Sequence, residues 1–154
     1  MKPFQVLCSY LIVAGTAAMA RPAEDLPIQN TFNITITKGK QPDLTTGFIA
    51  TDAKWKDIWT KVAPSGKVPA VNFTKNFVLV TKQDAADPNH VSLRVRRDDQ
   101  GVVFVSRVST LIGFEGSDRI KYRFHVVSRE GVTGVIDLDR VDLGEKPKIN
   151  PLPN

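Results

Sequence analysis

From Thr31 onward the chain switches between two periods. Thr31 to Thr37 alternates β-branched and polar residues, the period-two signature of a half-buried strand. Lys38-Gly39-Lys40 and Pro42-Asp43 supply turn chemistry, and Gly47-Phe48-Ile49-Ala50 predicts a second short strand. The period then lengthens. Trp55, Ile58, Trp59 and Val62 fall at i, i+3, i+4 and i+7, one face of a helix, with Lys54, Lys56, Asp57, Thr60 and Lys61 on the other. Thr51 is placed to cap its N-terminus, Asp52 suits the positive helix end, and Pro64 and Gly66 stop it.

After Asn76 the reading is β throughout. Phe77 to Thr81 is an apolar run of buried-strand length, and Asp84 to Asn89 is a polar loop. Val91, Leu93 and Val95 alternate with Ser92, Arg94 and Arg96. Arg97 to Gly101 forms a hairpin connection whose glycine can take positive φ, and Val102 to Val108 returns. After a loop at Gly113 to Asp118, Ile120, Tyr122, Phe124 and Val126 alternate with Lys121, Arg123 and His125. A last strand over Val132 to Leu138 is interrupted by Gly134. These elements predict an α+β fold dominated by antiparallel β-sheet, curved or rolled, with one short amphipathic helix on one face. A sandwich with the helix as a connection is the alternative. The domain is expected to span residues 31–143, with a flexible lead-in at 21–30 and a flexible proline-rich tail at 144–154.

The first twenty residues read as a secretory signal. One lysine, a thirteen-residue apolar run from Val6 to Ala18 and an Ala18-Met19-Ala20 site follow in the order signal peptidase requires. The run is shorter than the roughly twenty residues that span a bilayer, so no transmembrane segment is expected in the mature chain. The only cysteine, Cys8, lies inside this signal. A cysteine-free exported domain fits a bacterial periplasm or cell surface. Asn33-Ile34-Thr35 and Asn72-Phe73-Thr74 match the N-glycosylation pattern, which matters only in a eukaryotic host.

Charge is concentrated. Residues 91–129 hold eight basic and four acidic side chains, whereas the rest of the mature chain balances. If the strands carrying Arg94, Arg96, Arg107, Lys121, Arg123 and His125 lie in one sheet, its exposed face is cationic. Such a face suits an acidic protein surface or an anionic envelope component. No aromatics interleave the cations, so nucleic acid is not an expected partner. The plain alternative is a solvated sheet face that discourages aggregation. The two tryptophans read as a core lid rather than an exposed ligand platform, because Ile58 and Val62 share their face.

Catalytic signals are weak. His90 and His125 lack metal-ligand spacing, no G-x-S-x-G elbow is present, and the mature chain has no thiol. Asp84-x-x-Asp87-x-Asn89 and Asp137-x-Asp139 lack the spacing and glycine of a calcium loop, so neither metal nor cofactor is expected.

Gly47-Phe48-Ile49, Trp55-x-x-x-Trp59, Pro69-x-Val71-Asn72-Phe73 and Asn76 to Val80 together resemble the opening of the PrcB-like family, small exported proteins named for a subunit of a secreted protease complex. Asn72 stands where that family carries aspartate, and Thr81-Lys82-Gln83-Asp84 stands in place of its T-G-G-Y stretch. The resemblance covers residues 47–81 and implies a non-catalytic accessory subunit. The expectation is therefore an exported binding or accessory domain. A small secreted hydrolase or inhibitor with a loop-built site, or a structural envelope protein, are the rivals.

Overall fold

The helix forms where the hydrophobic period changes. In the computed structural model, which describes residues 23–39, 47–110, 112–136 and 149–153, helix α1 runs Asp52–Val62. Thr51 is its N-cap, with Oγ1 accepting from Lys54 N at 3.3 Å. Trp55, Ile58, Trp59 and Val62 are its buried residues. Residues 1–20, expected to be a secretory signal, and the Asp137-x-Asp139 pair lie outside the described residues.

Nine strands accompany the helix among the described residues: β1 (Glu24–Asp25), β2 (Ile28–Thr37), β3 (Phe48–Ile49), β4 (Asn76–Asp84), β5 (Val91–Arg97), β6 (Val102–Ser109), β7 (Arg119–Ser128), β8 (Gly134–Ile136) and β9 (Ile149–Pro151). The architecture is α+β and β-dominated. The strands divide into two sheets, ordered β2-β7-β4-β3 and β1-β5-β6-β8-β9. All pairs are antiparallel except β6–β8. The expected lead-in and tail are therefore corrected where they are described: Glu24–Asp25 pairs with Arg96 and Arg97 of β5, and Ile149–Pro151 pairs with β8. Neither segment has a periodicity that would announce a strand. Each is ordered by the edge it joins.

The inner sheet is buried on both faces, which sets the layer order as helix, four-stranded sheet, five-stranded sheet. On one face, Tyr122, Phe124 and Val126 of β7 and Val78 of β4 pack under the helix tryptophans. The Trp55 and Phe124 rings meet edge-on at 5.3 Å, and Trp55 Nε1 donates to Pro69 O at 2.8 Å. Each indole removes roughly 150–250 Å² from water, a gross gain of about 4–6 kcal/mol. On the other face, Phe77, Leu79 and Val127 meet Val95, Val103 and Val135 of the outer sheet. The tryptophans are core, as the helical stripe implied.

The Asp98–Gly101 turn joins β5 to β6. Asp98 Oδ1 accepts from Gln100 N and Val102 N, and Gly101 sits at φ +83°. A side chain there would also meet Gly131 O at 2.5 Å, so the glycine answers both a dihedral and a steric demand.

Candidate functional site

The six cationic candidates do not share one face. Arg94 and Arg96 lie on β5 in the outer sheet, whereas Lys121, Arg123 and His125 lie on β7 in the inner sheet. The expected single cationic field is thereby corrected. After β6 the chain crosses from one sheet to the middle of the other, so equal alternation in the two segments does not mean a common surface.

Arg94 and Arg96 are occupied. Arg94 donates through Nη2 to Asp25 Oδ2 at 2.6 Å and through Nε to Oδ1 at 2.9 Å, and Arg96 Nε reaches Oδ1 at 3.1 Å. The Arg94 hydrogen bonds, followed by that of Arg96, hold the Asp25 carboxyl down at about 2. Arg97 pairs with Glu24 in the same way. These arginines clamp β1 to the edge of the outer sheet, and two of their three charges are balanced by Asp25 and Glu24.

Of the other candidates, Arg123 and His125 come together at one end of the sandwich. Between the sheets, beyond Leu79 and Val95, the apolar core gives way to a cleft of about 570 Å³. Its inner-sheet wall carries Thr31, Asn33, Thr81, Arg123 and His125. Strand register explains the grouping: Thr31 is opposite His125, while Asn33 and Thr81 flank Arg123 from either side. Val91 and Leu93 form the outer-sheet wall, and the 87–90 loop adds Asp87 and His90. Arg107 is opposite Leu93, hence on the cleft-facing side of the outer sheet, and is exposed. Lys121, two residues along from Arg123, is half-buried on the same face.

His125 was expected to face water and does not. It is buried, and both ring nitrogens are within 3.1 Å of a threonine hydroxyl, Nδ1 with Thr31 Oγ1 and Nε2 with Thr81 Oγ1. One nitrogen donates and the other accepts, so a neutral ring is fully satisfied. Burial first, and then the Arg123 charge, push its pKa down to about 4. At neutral pH the ring is therefore held in its neutral form.

Arg123 differs from the β5 arginines. It is half-buried, and among the described residues no carboxylate pairs with it. Asp87, in the same cleft, is turned to its own loop, accepting from Asn89 N at 2.9 Å and Asn89 Nδ2 at 2.6 Å. Asp84 likewise accepts from Ala86 N and Ser117 Oγ and pairs with Lys38, so the acidic loop uses its carboxylates as turn acceptors. The half-buried guanidinium therefore has hydroxyl, amide and imidazole neighbours but no counter-ion among the described residues.

A larger hollow, about 1020 Å³, lies at the opposite end beside Thr51, Phe73 and Leu152. Its arginine, Arg129, is already bonded to Phe73 O at 2.9 Å and to Pro153 O. Sequence reasoning missed Thr31, Asn33 and Thr81 as site residues. They are ordinary strand residues, and only register brings them beside Arg123. No helix among the described residues is long and apolar enough to cross a membrane. No family model, curated protein or solved structure matches this chain.

Proposed function

We propose that the chain is an exported, non-catalytic binding domain that receives an anionic group of its partner in the inter-sheet cleft at Arg123. One observation carries this reading: a half-buried guanidinium with no acidic partner among the described residues, lining a cleft large enough for a ligand. A desolvated cation without a counter-ion is costly, and an incoming carboxylate, sulfate or phosphate relieves that cost through charge-assisted hydrogen bonds. Thr31, Asn33 and Thr81 offer further polar groups, while Val91 and Leu93 offer an apolar wall. Lys121 and Arg107, on the cleft-facing sides of their sheets, add positive potential that draws anions inward. Export rests on the signal-like first twenty residues. An accessory role beside a protease rests on the PrcB-like resemblance, whose residues form β3, α1 and β4, the scaffold beneath the cleft.

The test is salt-gradient elution from immobilised heparin, used as a generic polyanion. R123Q should elute at distinctly lower salt than the parent chain, a larger shift than that of the R94Q/R96Q pair. Retention lost with R94Q/R96Q and kept with R123Q would refute the cleft as the binding site.

A further inference from the structure

Strand β2 is one edge of the inner sheet, and among the described residues it is an open one. It runs ten residues, Ile-Gln-Asn-Thr-Phe-Asn-Ile-Thr-Ile-Thr, with no charge and no proline. It pairs with β7 on one side, and among the described residues no strand pairs with the other. Natural edges of this length usually carry a lysine, a proline or a short strand to stop another chain from joining.

The direction of its free groups can be read from neighbouring bonds. Thr31 N donates to the Asn30 side chain, so it does not enter the β2–β7 ladder. At the far side of the sheet, Val80 N donates to Gly47 O, away from β7, although Val80 is paired with Phe124. Strand alternation then assigns the β7 residues Lys121, Arg123 and His125 to bonding with β4, and Tyr122 and Phe124 to bonding with β2. It follows that Thr31, Asn33 and Thr35 turn their backbone groups to the open edge. Those same residues lie opposite His125, Arg123 and Lys121 and share their face. The strand that offers free backbone also borders the cationic row, with only short neutral side chains between.

We infer that β2 is a strand-addition site for an extended acidic segment of a partner protein, whose alternate carboxylates reach over Asn33 and Thr35 to Arg123 and Lys121. This rests on the cleft reading above and names its occupant. Main-chain bonds to Asn33 and Thr35 supply the affinity, and the cations supply the selectivity. An added strand lies two strand spacings, about 10 Å, from β7, a gap that a long cationic side chain and a glutamate bridge from opposite sides. Arg119 extends the row: it is exposed and lies opposite Thr37, the same parity as Arg123. Asp87 is the acid that faces this cleft, and it is held by Asn89.

An eight-residue peptide of alternating threonine and glutamate, titrated into the ¹⁵N-labelled exported chain, tests the inference. The Asn33 and Thr35 amides should shift and gain exchange protection. A threonine–glutamine peptide, or the R123Q chain, should bind at least tenfold more weakly. N33P removes an outward N–H at an edge where proline is tolerated, and it should abolish protection at Thr35; if N33P unfolds, T35P serves, with loss of protection read at the Asn33 amide. If the peptide perturbs Arg123 and leaves both amides unprotected, strand addition is overturned while the anion cleft stands. If neither responds, both fall. If the two amides are already protected in the free chain in a concentration-dependent way, the edge belongs to a second copy and the inference is overturned.

Discussion

Lowering the pH from 7.5 to 4 should weaken the fold through one imidazole. His125 is 7 % exposed, and burial together with Arg123 moves its pKa from the ordinary 6.5 down to about 4. Between those values the unfolded chain binds a proton that the folded chain refuses. The associated stability is therefore fully present above pH 6.5 and is lost as the pH falls through about 4. Each pKa unit is worth about 1.4 kcal/mol, so the whole gap corresponds to about 3 kcal/mol. Water entering the cleft screens the charged ring, and about 2 kcal/mol is the expected loss. That is a substantial share of the roughly 5–15 kcal/mol that holds a domain together. Asp25 acts in a lower window, because a carboxyl held at about 2 gives up its contribution only as the pH drops below the ordinary 3.8. Urea unfolding of the parent chain and of H125N at pH 7.5, 5.5 and 4 isolates the effect: across this range the parent should lose about 2 kcal/mol more stability than H125N, which keeps the aspartates that respond nearest pH 4. NMR titration of the ring, assigned against H90Q, reads the pKa directly. R123Q should raise it by less than the full shift, since burial is the larger cause, and an anion seated on Arg123 should also raise it. A His125 ring that protonates near 6.5, or parallel denaturation curves for the two chains, would refute the reasoning.

Other perturbations test the frame around the site. W55A, at a position with no exposed surface, should cost about 3–5 kcal/mol in chemical denaturation. T51A removes the helix cap and should cost about 1 kcal/mol in the same assay. G101A meets both a positive φ and the Gly131 carbonyl, and should lower the thermal midpoint by the equivalent of at least about 1 kcal/mol. D25N releases Arg94 and Arg96 and loosens β1, so the Leu26 amide, which donates to Val95 O, should exchange faster while heparin retention rises. Unchanged exchange at Leu26 would mean that β1 is held without the ion pairs.

The sequence alone determined the local elements that carry their own period. Trp55, Ile58, Trp59 and Val62 mark a helix face because side-chain direction repeats every 3.6 residues whatever lies opposite. The strands over residues 91–96 and 120–126 are legible for the corresponding reason, with a period of two, and Val102 to Val108 as the returning arm after the hairpin turn. The Asp98–Gly101 turn is legible because only glycine takes its positive φ at little cost. Tertiary structure decided everything that depends on which strand lies beside which. Glu24–Asp25 and Ile149–Pro151 are strands only because β5 and β8 offer them an edge, and so short a segment carries no period to read. Alternation told that Arg94 and Arg123 each point away from their apolar neighbours. It did not tell that one meets Asp25 across a strand pair while the other enters a cleft between sheets. His125 shares its period with Lys121, yet it is buried because the second sheet closes over that end of β7. Register is a relation between distant segments, and the grouping of Thr31, Asn33 and Thr81 around Arg123 and His125 exists only once the chain has folded.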